Sequence, residues 1–72
     1  MHRDDVDSTL IHSIDYDEER RVLVIQFQDD GAYQYFDVGP EVVEELLDAE
    51  SKGRYFNDFI RDTYQYRRMY GV

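Results

Sequence analysis

The sequence predicts an α+β fold, a three-stranded antiparallel β-meander followed by two α-helices (βββαα). Three observations carry that prediction. Residues 8–38 hold three runs rich in β-branched and aromatic side chains, parted by Asp17-Glu18-Glu19 and Asp29-Asp30-Gly31. Gly39-Pro40 then closes the alternating pattern, and beyond it apolar residues recur at helical spacing. Finally, the chain has 72 residues, 42% of them apolar and 15% aromatic, enough for one small core and no second domain.

The first strand is read from Ser8 to Tyr16, a β-branched run broken by polar residues, as in a half-buried or edge strand. The second, Arg21 to Gln28, carries the clearest signal: Leu23, Ile25 and Phe27 share one face and Val22, Val24 and Gln26 the other. The third runs from Ala32 to Val38. Two hairpin registers join the last two strands. A two-residue Asp30-Gly31 turn would set Gln28 against Tyr33 and put the tyrosines with Val22 and Val24. A three-residue loop, with Gly31 in the left-handed position, would set Phe27 against Tyr33 and Ile25 against Tyr35. The second is preferred because it matches aromatic to aliphatic side chains. It makes Tyr33 and Tyr35 core residues and turns Val22, Val24 and Phe36 outward as an apolar patch.

Pro40 suits the first position of a helix. Val42, Val43, Leu46, Leu47 and Ala49 form its inward stripe, and Glu41, Glu44, Glu45 and Asp48 its wet face. Ser51 is a good N-cap for a second helix starting at Lys52, with Tyr55, Phe56, Phe59 and Ile60 facing inward. After Thr63 the pattern fades into Tyr64-Gln65-Tyr66-Arg67-Arg68-Met69-Tyr70, a basic and aromatic tail with no assigned structure.

These features, in order, resemble the KTSC domain family. The residues that carry the resemblance are Val6, Ser8, Ile11, Ile14, Tyr16-Asp17, the hydrophobic strand 22–27, Gly31 and the central Tyr33-Gln34-Tyr35. It continues through Val38, Pro40, the acidic helix, Ser51-Lys52-Gly53, Tyr55-Phe56-Asn57, Ile60 and Tyr64. It spans residues 6–69 as a single domain, leaving 1–5 and 70–72 as flexible termini. KTSC domains occur at the C-terminus of some lysyl-tRNA synthetases and as stand-alone small bacterial proteins. Their function is not established, and RNA binding has been suggested from that company. The resemblance therefore implies a small binding domain with RNA as a candidate partner.

The charges are unevenly spread. The chain has 17 acidic and 8 basic side chains, a net of −9, which opposes general polyanion binding. Residues 1–50, however, hold 15 acids against 3 arginines, whereas residues 51–72 hold 5 bases against Asp58 and Asp62. The same 22 residues carry six of the eleven aromatic side chains. Lys52, Arg54, Arg61, Arg67 and Arg68 as phosphate contacts, with Tyr64 and Tyr66 as stacking rings, would suit RNA, single-stranded or tRNA-like. The simpler reading, favoured by the overall negative field, makes Tyr55, Phe56 and Phe59 core. The cations then pair with the acidic half or with a helix C-terminus. Ser51-Lys52-Gly53-Arg54 poses the same choice, between an anion-holding helix start and a cap with tight helix packing. The outward Val22, Val24 and Phe36 offer the alternative partner, another protein or a second copy in a homodimer.

Enzymatic chemistry is not expected. Ser8, Ser13, Ser51 and Thr63 have no recognisable base beside them, and with no Cys and only His2 and His12 there is no metal-ligand spacing. The acidic clusters lack calcium-loop spacing, so neither cofactor nor metal is expected. No apolar run is long enough for a membrane span, and the Met-His-Arg-Asp start does not read as a signal peptide. The expectation is a cytoplasmic binding protein.

Overall fold

The computed structural model describes residues 2–5, 10–28 and 31–70, with side chains over 10–28 and 31–69. The fold is α+β, but the sheet has five strands where the sequence predicts three. In order of position they are β1 (His2–Asp5), β2 (Ile11–Asp17), β3 (Val22–Phe27), β4 (Gly31–Tyr35) and β5 (Tyr66–Tyr70), each antiparallel to its neighbour. The two additions are the edge strands, whose sequences show little apolar alternation. β1 forms from a segment expected to be a flexible terminus, and β5 from the tail to which no structure was assigned. Val6, Ser8 and the Asp29-Asp30 turn lie outside the described residues.

The β3–β4 hairpin has the expected faces with a different pairing. Ile25 lies opposite Tyr33 and Leu23 opposite Tyr35, two residues from the preferred register. A shift of two preserves which side chains share a face, so Tyr33 and Tyr35 still join Leu23, Ile25 and Phe27 on the covered side. Gly31 has φ 85°, in the left-handed region expected of it. β4 stops at Tyr35, short of the expected Val38, since Asp37 takes φ 59° and turns the chain away. In β2 the register shifts between Ile11 and Ser13, so Ile11 and Ile14 both enter the core although they are three apart.

Helix α1 (Pro40–Asp48) lays Val43 and Leu46 on the sheet, with Val42 and Leu47 leaning against the same core. It ends where Ala49 becomes extended. Helix α2 (Lys52–Tyr55) is capped by Ser51 and runs on into a π-helical turn, Phe56–Ile60. There Phe56 and Ile60 are buried and Tyr55 half-buried, but Phe59 is 57% exposed, which corrects its expected place in the core. Its ring instead lies against Tyr55 at 4.8 Å between centroids. The wider π turn keeps Phe56 and Ile60 inward, and Phe59 falls off that stripe.

The core is one cluster between the sheet and these helices: Ile11, Ile14, Tyr16, Leu23, Ile25, Tyr35, Val38, Val43, Leu46, Phe56 and Ile60. The Tyr16 hydroxyl enters it and donates to the Val38 carbonyl at 2.6 Å. Burial pushes that phenol above its ordinary value, with the Arg21 charge acting the other way. The opposite face of the sheet carries no second layer among the described elements.

Candidate nucleic-acid interface

The predicted site residues divide between the loop around Ser51 and strand β5. At the first, the Ser51 hydroxyl accepts from the Arg54 backbone N–H at 3.3 Å, so the hydroxyl serves as the cap. Gly53 is buried, and a Cβ there would stand 3.3 Å from Leu10 Cδ2. The close approach that glycine permits is thus used by Leu10. Lys52 Nζ donates to the Ala49 carbonyl at 3.5 Å, against the end of α1. Arg54 pairs with Asp58 at 3.8 Å, both side chains largely in solvent. Asn57 and Arg61 are exposed on and just after the π turn.

Strand β5 brings different groups together. Pairing with β4 sets Tyr66 opposite Tyr35 and Arg68 opposite Tyr33, both on the helix-covered side of the sheet. Arg67 lies opposite Gln34 and so belongs to the outer face. The two adjacent arginines, expected to act as one basic patch, are separated by the thickness of the sheet. Tyr64 is half-buried against the core and is set apart from Tyr66 by the turn into β5. Tyr66 is 59% exposed although its ring stands 5.8 Å from that of Tyr33 and 5.7 Å from that of Tyr35. Phe27 closes edge-on to Tyr33 at 5.5 Å, and Phe56 to Tyr35 at 5.4 Å. An aromatic row therefore leads from the core to the sheet edge and ends on an open tyrosine with a guanidinium on its strand.

Tyr33 is the member of this group that the charge-and-aromatic reading of the tail left out. Alternation along residues 66–70 would have set Tyr66 and Arg68 on one face and Arg67 on the other, and the register with β4 then brings in Tyr33.

A further polar contact joins the two helices on their solvent side. Tyr55 donates its hydroxyl to Glu45 Oε1 at 3.2 Å, and burial, then the Glu45 charge, raises its pKa. Among the described residues no cluster of three potential metal ligands occurs, and no helix is long and apolar enough to cross a membrane.

Residues 7–64 match the model of the KTSC domain. The chain belongs to the KTSC domain family. It is 39% identical over 70 residues to an uncharacterized protein of Stutzerimonas stutzeri, covering 96% of this chain and 99% of that one. It is also 33% identical over 63 residues to a lysine–tRNA ligase of Nostoc punctiforme, covering 88% of this chain but 11% of the ligase. The crystal structure of a KTSC domain protein from Yersinia pestis superposes with a TM-score of 0.93 at 38% identity, covering 96% of this chain and 97% of that one. The architecture of strands and helices is thus that of an experimentally solved KTSC domain.

Proposed function

We propose that this KTSC domain is a non-enzymatic binding module that takes single-stranded RNA along the β5 edge. Tyr66 is the stacking ring and Arg68 the phosphate contact on the covered side. Arg67, on the outer side, adds to the positive field at this edge without a phosphate of its own. The observation that carries the reading is Tyr66, 59% exposed yet held beside two further tyrosine rings, with Arg68 two residues along the strand. A base stacks on a ring whatever its sequence, and a guanidinium beside it neutralises the adjoining phosphate. The likeness to lysine–tRNA ligases, proteins named for an RNA substrate, supports it. The net charge of −9 keeps the binding weak and confined to this edge.

Titrating the isotope-labelled chain with a short single-stranded RNA at low salt tests this. The amides of Tyr33 and of residues 66–68 are expected to shift. Tyr66→Ala should weaken binding by about 1–3 kcal/mol, the range for one stacked base. Replacing Arg67 and Arg68 should flatten the dependence of affinity on salt. Amides of residues 51–70 that stay unmoved at low salt rule the reading out.

The outer face of the sheet favours a second reading, a protein-interaction surface. Val22, Val24 and Phe36 are half-buried, and the core cluster and the side chains packed on it include none of them.

A further inference from the structure

The outer face has an order that single residues do not show. Cross-strand pairing lines up Asp15, Val24, Gln34 and Arg67 in one row across β2, β3, β4 and β5. A second row sets Asp17 beside Val22, and carrying the β4 alternation one residue further puts Phe36 beside Val22. The third row is Ser13, Gln26 and Ala32, where the Ser13 hydroxyl donates to Gln26 Oε1 at 3.4 Å. The face is therefore acidic along β2, where Asp17 is also paired with Arg20 at 3.9 Å, apolar or neutral along β3 and β4, and basic at β5.

We propose that this face packs on the same face of a second copy, about a two-fold axis that runs along the strands between β3 and β4. The inference rests on the second reading above and names its partner. An isologous contact must be self-complementary, and only some axes make this face so. An axis along the strands exchanges β2 with β5 and β3 with β4. Arg67 of each copy then faces Asp15 of the other, and Val22 of each faces Phe36 of the other. An axis across the strands would lay β2 on β2, acid on acid, and Arg67 on its own copy. With strands about 4.8 Å apart, β2 and β5 each lie only about 7 Å from the first axis. The twist of roughly 30° between packed sheets therefore carries the charged pairs little out of line. Arg3, opposite Asp15 on β1, falls beyond the partner's β5.

The test uses the full chain. Sedimentation or light scattering from micromolar to millimolar concentration is expected to show a monomer–dimer equilibrium. Val22→Glu, on a half-buried side chain outside the core, is expected to weaken the dimer at least tenfold while circular dichroism stays unchanged. Because the chain has no Cys, an introduced pair reads the axis directly. Mixing Asp15→Cys with Arg67→Cys and a short bis-maleimide should give the mixed dimer in preference to either self-linked product. A monomer at every concentration overturns the proposal and leaves the face to a different protein. Efficient self-linking of Asp15→Cys overturns it too, by selecting the other axis. RNA binding is scored separately on Val22→Glu, whose β5 is intact, so loss of the dimer and loss of the RNA reading are distinguishable.

Discussion

Along β3, Leu23 and Ile25 are wholly buried beneath the helices, whereas Val22 and Val24, each one residue away, are half-buried on the outer face. Both sets are β-forming aliphatic residues on one strand, and alternation alone assigns them to opposite faces. Their surroundings then differ. The covered face meets Val43, Leu46, Phe56 and Ile60, so Leu23 and Ile25 at its centre are enclosed. Val22 and Val24 on the outer face have no helix packed on them among the described residues, although Ser13 and Ala32 in the neighbouring row are themselves buried. The covered face therefore supplies most of the stability of the fold, and Val22 and Val24 supply less of it.

The largest expected effect tests that division. Ile25→Ala should lower stability by about 2–5 kcal/mol, the range for removing a fully enclosed aliphatic side chain. Val24→Ala, measured in dilute solution, should cost well under half of that, because a half-buried residue forfeits less contact and leaves no closed cavity. Urea denaturation of both variants gives the comparison. Equal losses would mean that the outer face is itself a core, and the contrast would fail. In concentrated solution the Val24→Ala cost should grow if the face is occupied by a second copy, since burial in a dimer adds to apparent stability.

The division into faces was legible in the sequence because it depends only on parity. Leu23, Ile25 and Phe27 share a side whatever the pairing, and so do Val22 and Val24. Register was less legible, because offsets of zero and two satisfy the same alternation. The pairing of Ile25 with Tyr33 and Leu23 with Tyr35 is the one that occurs. The edge strands were not legible at all. His2-Arg3-Asp4-Asp5 and Tyr66-Arg67-Arg68-Met69-Tyr70 are held by backbone pairing to β2 and β4, and a polar side chain can occupy such a strand without cost. That is also why Arg67 and Arg68 looked like one cluster: a linear charge count carries no faces until the strand is known. Phe59 was misplaced because a helical wheel assumes 3.6 residues per turn, which a π turn does not keep.

A smaller effect sharpens the comparison at the end of the covered face. Tyr16 belongs to the core by position but carries one polar atom into it, which donates to the Val38 carbonyl. Tyr16→Phe keeps the ring and leaves that carbonyl without this donor, so a loss of about 1 kcal/mol is expected near neutral pH. The pH dependence has a definite sign. The folded-state pKa lies above the ordinary 10.0, so this contribution is complete below pH 10 and fades as pH climbs through the raised value. Thermal melts across the alkaline range should therefore show wild type and Tyr16→Phe converging. Parallel curves would show that the phenol's burial has no part in alkaline unfolding.

The smallest effects concern the solvent side, where the contrast predicts that polar contacts contribute little unless they satisfy the backbone. Ser51 and Arg54 allow that to be measured within one turn. Ser51→Ala removes the acceptor for the Arg54 N–H and should cost about 1 kcal/mol, as caps do. Arg54→Ala removes an ion pair to Asp58 whose partners are 83% and 55% exposed. Solvent screening leaves such i,i+4 pairs about 0.3–0.5 kcal/mol. The basic residue here precedes the acidic one, the weaker orientation on a helix, so the low end is expected. The two losses should also respond differently to salt. In 1 M salt the screening length falls to about 3 Å, so the Arg54→Ala difference should vanish while the Ser51→Ala difference persists. Were Arg54→Ala the costlier change, the guanidinium would be packing its stem against the α2 surface, and the charge of this segment would be structural before it was available to any ligand.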